Sequence, residues 1–265
     1  MGTNGTDIAR QVAKKLGYQF YDTEAIENAA REMGFLGNIK EIDEKAPSLF
    51  QRLFSHKPAI GLDRLTSLIY ELAKKGNAVF LGRGSQILLK SFSCALHIRV
   101  TASVERRVQN LIERGFTREG GLKAIERSDH ERSSFIKFAF GVDWENPELY
   151  DLVLNTDKLS VDLGMNTVLG LARSEEIKAC SIDAMKSIEM MGLERRAEAA
   201  LMEAGLTYGP TTSISFSVVG PGKLRLSGLA ENQATKTRAE NLLKALNGVE
   251  SIENQIRVTP ADRHA

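Results

Sequence analysis

The sequence predicts an α/β protein, with a parallel sheet flanked by helices over residues 1–175 and a small α+β module of order α-β-β-α-β at 188–260. Three observations carry this reading. Short apolar runs alternate with helical periodicity up to about Arg173, which is the pattern of βαβ units. One such run, NAVFLG, ends in Gly82-Arg83-Gly84, a turn at the carboxyl end of a strand, where open α/β sheets place their ligands. After about Ser187 the pattern changes to period-two alternation across Gly220-Pro221-Gly222, the signature of a hairpin.

The elements follow in order. Asp7 to Leu16 sets Ile8, Val12, Ala13 and Leu16 on one helical face, and Gly17 stops the helix. YQFYD fits a strand end, and Asp22 or Thr23 caps a helix running to about Met33. Residues 34–60 are less regular and hold Pro47 and Pro58. Leu65, Leu68, Ile69 and Leu72 return at helical spacing within 62–75. NAVFLG (77–82), CALHIRV (94–100) and YDLVLNT (150–156) read as buried strands, with the strands of Phe80, Ile98 and Leu152 adjacent or one apart. Helices follow from Thr101 or Ser103, over Thr117 to Phe138, and from about Val161. Residues 174–187 serve as a linker or helix extension. Ile188 to Ala204 is helical, SISFSVV and KLRLSGL alternate, Glu231 to Leu246 is helical, and SIENQIRVT is a last strand. The module reads as antiparallel in character.

Bulk composition narrows the function classes. With 35 Lys plus Arg against 34 Asp plus Glu, charge makes no case for a nucleic acid partner or an acidic membrane. Cys94 and Cys180 stand alone, so no disulfide framework or metal cluster is expected, which suits a reducing compartment. No apolar run approaches the roughly 20 residues of a membrane span, and the polar N-terminus lacks a signal-peptide core. Cytoplasm is the expectation.

Several groups could carry chemistry. GTNGTDIA opens the chain as a small-residue run entering a helix, where amides and the helix dipole favour an anion. Gly2 and Gly5 let backbone curl around phosphate, and Thr3 or Thr6 offers a hydroxyl; a terminus capped by Thr6 is the plainer alternative. Arg83, after its strand, can present a planar fork to a phosphate or carboxylate, or sit on the surface. In ERSDHERSSF, Asp129 and Arg132 share a helix face, facing a pocket or forming an ion pair. Arg106, Arg107, Arg114 and Arg118 add cationic density of the kind phosphoryl transfer needs. His97 reads as a core histidine, and Trp144 as a packing anchor for the loop before the third strand.

Taken in series, GTNGTDIARQVAKKLGYQFYD, AVFLGRGSQILL, LHIRVTASVERRVQNLIERGFT and IERSDHERSSFIKFAFGVDWENPELYDLVLNT resemble the cytidylate-kinase-like family of nucleoside monophosphate kinases over about residues 2–172. The resemblance implies a P-loop kinase-like fold with a mobile lid, and transfer of a phosphoryl group from ATP, with Mg2+, to a nucleoside monophosphate. It implies that Gly2, Thr3, Asn4, Gly5 and Thr6 form the phosphate loop, and that Thr23 and Arg83 bind substrate. Asp129 and Arg132 would contact the nucleotide, and Arg107 and Arg114 would face the transferring phosphate in or near the lid. No metal-ligating residue is assigned. The sequence departs from the family at Asn4, where glycine is usual, at Gly84, where aspartate follows the glycine-arginine pair, and at Asn28 and Ile125, where arginines are usual. The family's strand before the loop has no counterpart in the sequence given. A later-than-true start or a lost kinase function would follow, with the loop tethered on one side and slow or absent turnover of ATP and CMP.

The segment LRLSGLAENQATKTRAENLLKALNGVESIENQIRV resembles the BON domain over about 190–259, which implies binding of a ligand, partner or membrane surface. Residues 188–259 carry eight Lys plus Arg and eight Asp plus Glu, so a small ligand or protein partner is favoured over a phospholipid surface.

Overall fold

A computed structural model describes residues 1–33, 58–177 and 182–259. The described residues divide into two compact units, one within 1–26 and 76–180, the other within 27–75 and 181–265.

In the first unit, α1 (Gly5–Leu16) leads through Gly17, whose positive φ ends the helix, into β1 (Gln19–Tyr21). Asp22 accepts from the Ala25 amide and starts α2 (Thr23–Glu32), whose residues from Glu27 onward belong to the second unit. β2 (Ala78–Phe80) pairs parallel with β1. It runs into the short helix α4 (Ser85–Leu88). β3 (Ile98–Thr101) precedes α5 (Val104–Ile112), capped by Ser103. Thr101, the other candidate cap, belongs to the strand instead. α6 (Arg118–Phe140) is capped by Thr117, β4 (Leu152–Asn155) pairs parallel with β3, and α7 (Val161–Ala172) is capped by Ser160. The parallel pairing and flanking helices are those the alternation predicts, and the strands of Ile98 and Leu152 are adjacent as expected, but the strand of Phe80 pairs with β1 in a separate sheet.

The strands form two separate two-stranded parallel sheets, β1-β2 and β3-β4. They share one core: Ile8 and Val12 of α1 and Met165, Val168 and Leu169 of α7 pack with Val79, Ile98, Val100 and Leu154 from both sheets. Gly164 permits this closeness, since a Cβ there would lie 2.8 Å from Ile8 Cδ1 and 3.1 Å from Leu154 Cδ2. β3 begins later than its apolar run because its register with β4 starts at Ile98–Leu152. His97 is buried just before it, its ring beside the Leu89 carbonyl at 3.3 Å, and burial lowers its pKa, as befits a core histidine. Cys94 departs from expectation: it is disulfide-bonded, and the one other cysteine in the sequence, Cys180, lies outside the described residues. The cysteines therefore give no support to a reducing compartment.

In the second unit, α3 (Pro58–Lys74) lies antiparallel against α8 (Ile182–Glu203). Sequence order places α3 in the first segment, yet its partners are here. Ser67 Oγ donates to the Gly192 carbonyl at 3.1 Å, Lys74 meets Glu189 at 2.5 Å, Arg195 meets Asp63 at 3.3 Å, and Arg196 pairs with Glu71. β5 (Ser213–Gly220), β6 (Lys223–Ala230), α9 (Gln233–Lys244), β7 (Ser251–Asn254) and β8 (Arg257–Val258) complete the unit. Leu193, Ala197 and Leu201 of α8 bury against Leu224, Leu226, Ala239, Leu243 and Ile256. The sheet is mixed, not antiparallel throughout: β5-β6 is antiparallel, whereas β7 and β8 run parallel to β6. The single last strand expected is split, because Asn254 Oδ1 takes the Ile256 amide at 3.1 Å. Among the described residues no helix is long and apolar enough to cross a membrane.

Candidate active site

The opening loop is built to sit close against α5. Gly2 has φ 81°, and a Cβ there would lie 2.7 Å from the Arg107 carbonyl, so only glycine fits. Asn4 caps α1 in the left-handed conformation at φ 58°, a costly one for a residue with a side chain. Thr6 lies exposed in the first turn of α1. The expectation of a loop tethered on one side fails. Asn110 donates to the Gly2 carbonyl at 2.8 Å, Thr156 Oγ1 to the Thr3 carbonyl at 3.0 Å, and Arg107 Nε to the Met1 carbonyl at 2.7 Å. Arg114 donates to Asn4 Oδ1 at 2.8 Å and Asp7 Oδ2 at 2.6 Å. Side chains from α5 and the end of β4 thus fix the successive carbonyls of Met1, Gly2 and Thr3, and Thr3 Oγ1 accepts from the Gly5 amide at 3.4 Å.

Arg107 is buried at 9% exposure and fully engaged. Besides the Met1 carbonyl it grips Asp129 bidentately, Nη1 to Oδ2 at 2.7 Å and Nη2 to Oδ1 at 2.8 Å. One guanidinium therefore joins the loop to the middle of α6. Burial raises the Asp129 carboxyl, but the hydrogen bonds and charge of Arg107, with Arg132 adding to them, outweigh it and hold the group below its ordinary value. Arg132, three residues on, sits 3.7 Å from Asp129, a looser contact. The ion pair read from the spacing exists, yet the carboxylate belongs mainly to Arg107. Ile125 and Ile136 hold this stretch of α6 in place from the buried side.

Thr23 and Arg83 form the other half. Gly82, Arg83 and Gly84 are all left-handed, at φ 79°, 60° and 78°. Three such residues in a row turn the chain sharply after β2 and aim Arg83 back at Thr23, whose Oγ1 accepts from Nη2 at 2.7 Å. A Cβ at Gly84 would lie 2.2 Å from Phe140 Cε2, so the turn is wedged under the last residue of α6. Gln86 of α4 hydrogen-bonds Tyr150, whose hydroxyl also donates to the Trp144 carbonyl at 2.7 Å. Thr23 with Arg83, and Asp129 with Arg107 and Arg132, are thus two direct clusters linked through α6 and the 144–150 loop.

Residues 1–158 match the family model described as cytidylate kinase-like family. The chain belongs to the cytidylate kinase-like family. It is 28% identical over 171 residues to a cytidylate kinase of Staphylothermus marinus, covering 63% of this chain and 89% of that protein. It is 29% identical over 180 residues to a cytidylate kinase of Methanocaldococcus jannaschii, covering 63% and 90%. A solved structure of an uncharacterized protein from Eubacterium ventriosum superposes with a TM-score of 0.51 at 17% identity, over 64% of this chain and 92% of that one, which shows the fold alone. Residues 193–260 match the BON domain. This cytidylate kinase-like chain is a kinase-like nucleotide-binding protein with a BON domain appended.

Sequence reasoning missed Asn110, Thr156 and Arg99. The signals were present: a polar Asn inside the apolar face of α5, a Thr ending an apolar strand, and a charge in the middle of a buried one.

Proposed function

We propose that the first unit transfers a phosphoryl group from ATP to a nucleoside monophosphate, CMP being the first candidate. The observation that carries the reading is Arg107, which bonds the opening loop and Asp129 at once and so supports a shared site for the two nucleotides. In this reading the loop Gly2–Thr6 is the phosphate loop. The N-terminal end of α1 and the Thr6 hydroxyl hold the phosphates of ATP, and Arg114 stands beside them. Arg83, Thr23 and Arg132 hold the substrate phosphate, and Asp129 faces the base.

The donor set fits a magnesium ion carried mainly by phosphate oxygens and water, for which the Thr6 hydroxyl and Asp7 are the near protein oxygens. Magnesium bound there would neutralise charge on the phosphate oxygens. This chain's own contribution is positioning and charge, the terms that dominate phosphoryl transfer. We place the protein in the cytoplasm, where ATP is available, and assign the BON domain a protein or small-ligand partner.

A second reading, binding without turnover, draws on one observation: Arg107 and Arg114 both face carboxylates, Asp129 and Asp7, which reduces the positive charge left for a transition state. The test is coupled ADP release with ATP, magnesium and CMP, beside calorimetric binding of each nucleotide. CMP-dependent release supports the kinase. Binding of both nucleotides without release supports the second reading, and failure to bind either overturns both.

A further inference from the structure

Two arginines lie over the Trp144 ring. The Arg99 guanidinium carbon lies 4.8 Å from the ring centroid and that of Arg132 lies 4.9 Å away. An indole face attracts a guanidinium at this range. Two like charges do not share one ring unless something holds each of them. Arg99, in β3, is held by Glu145, donating to its carbonyl at 2.8 Å and to Oε1 at 2.5 Å. The Trp144 backbone is held by the Tyr150 hydroxyl at 2.7 Å. Arg132 differs: among the described residues it donates no hydrogen bond, and its ion pair with Asp129 stretches to 3.7 Å. What fixes Arg132 is therefore the ring, not the carboxylate.

A guanidinium stacked by its face keeps its in-plane N–H donors directed outward, as a fork matched to phosphate oxygens. We infer that Trp144 is a positioning residue that stacks the Arg132 guanidinium and presents its donor edge to the phosphate of the nucleoside monophosphate. The inference rests on the substrate role proposed for Arg132. Trp144 is thus more than a loop anchor, and Arg99 and Glu145 hold it in place. Desolvation, with Arg107 and Arg99 adding to it and Asp129 and Tyr150 opposing, lowers the Arg132 pKa below the ordinary arginine value.

Trp144 is the only tryptophan, so its emission reports this stack alone. The experiment measures CMP and ATP affinity by calorimetry for the full chain and for Arg132→Ala, Trp144→Leu, Trp144→Phe and Arg99→Met, with thermal melts, and Trp144 emission where the ring remains. CMP should shift the emission of the parent chain but not of Arg132→Ala. Trp144→Leu should weaken CMP about tenfold, the size of a partly desolvated cation–π contact, with ATP affinity unchanged, and Trp144→Phe should recover most of the loss. Arg99→Met, which leaves both stacking partners in place, should change the emission and weaken CMP less than Trp144→Leu does. Loss of CMP affinity in Arg132→Ala with none in Trp144→Leu overturns the positioning role and leaves the substrate role standing. If Trp144→Leu does not fold, Arg99→Met decides: altered emission with unchanged CMP affinity overturns the positioning role. Equal loss of CMP and ATP affinity in Trp144→Leu also overturns it, as a general structural defect. Undiminished CMP affinity in Arg132→Ala, or no CMP binding by the parent chain, overturns the substrate reading and this inference together.

Discussion

Arg107 donates two parallel hydrogen bonds to Asp129, at 2.7 and 2.8 Å, and a third to the Met1 carbonyl at 2.7 Å. Removing the guanidinium leaves a partly buried carboxylate and a loop carbonyl without their donor. Arg107→Ala should lower unfolding free energy by about 2 kcal/mol, discounted from a fully buried pair because Asp129 is partly exposed. Arg107→Lys should recover little, since an ammonium cannot reproduce the fork. Urea titration measures both, and an unchanged midpoint in Arg107→Ala would show that the clasp contributes nothing.

The same pair sets a pH dependence. The folded Asp129 carboxyl titrates below its ordinary value of 3.8, so the unfolded chain binds the proton more readily. Its stabilisation is present above about that pH and is lost as pH falls through the lower folded value. Melting temperature between pH 5 and 3 should therefore fall more steeply in the parent chain than in Asp129→Asn, which has no carboxyl to protonate. Parallel slopes would contradict the assignment.

How far the sequence showed this in advance depended on the physics of each feature. Periodicity exposed α1, whose buried Ile8 and Val12 are spaced by the helix repeat, and alternation exposed β5 and β6. Spacing also put Asp129 beside Arg132, since both lie on one helix. Spacing could not show that Asp129 belongs to Arg107, 22 residues away, because that contact is made by the packing of α5 on α6. Nor could it place α3 against α8, more than a hundred residues later in the chain, where Ser67 meets Gly192. Trp144 looked like packing because aromatic residues in loops usually are; the two guanidiniums over its ring come from β3 and α6, which only the fold brings together.

The Gly84 turn makes a further prediction. With φ at 78° and Phe140 where a Cβ would stand, Gly84→Ala should cost about 2 kcal/mol through backbone strain and overlap combined. Adding Phe140→Ala should relieve the overlap but not the strain, so the double variant loses less than the two single losses added together. Additive losses, read from denaturant titrations, would mean that the ring does not press on the turn.

In the second unit, Glu71 and Arg196 pair across α3 and α8 with side chains 19% and 14% exposed. Glu71→Ala should destabilise by about 1–3 kcal/mol, and Glu71→Ala with Arg196→Ala by less than the sum, since the second change removes the charge that the first leaves unpaired. A thermal melt of each variant checks this, and a Glu71→Ala melt equal to the parent would show α3 to be loosely held.

In the proposed function the opening loop and the middle of α6 form one nucleotide site. Hydrogen–deuterium exchange of the full chain, with and without ATP, magnesium and CMP, tests it most directly. Exchange should slow at residues 2–8 and at 126–136 together, with the effect lost from the second stretch when CMP is omitted. Protection confined to residues 193–259, or none at either stretch under saturating nucleotide, would contradict it.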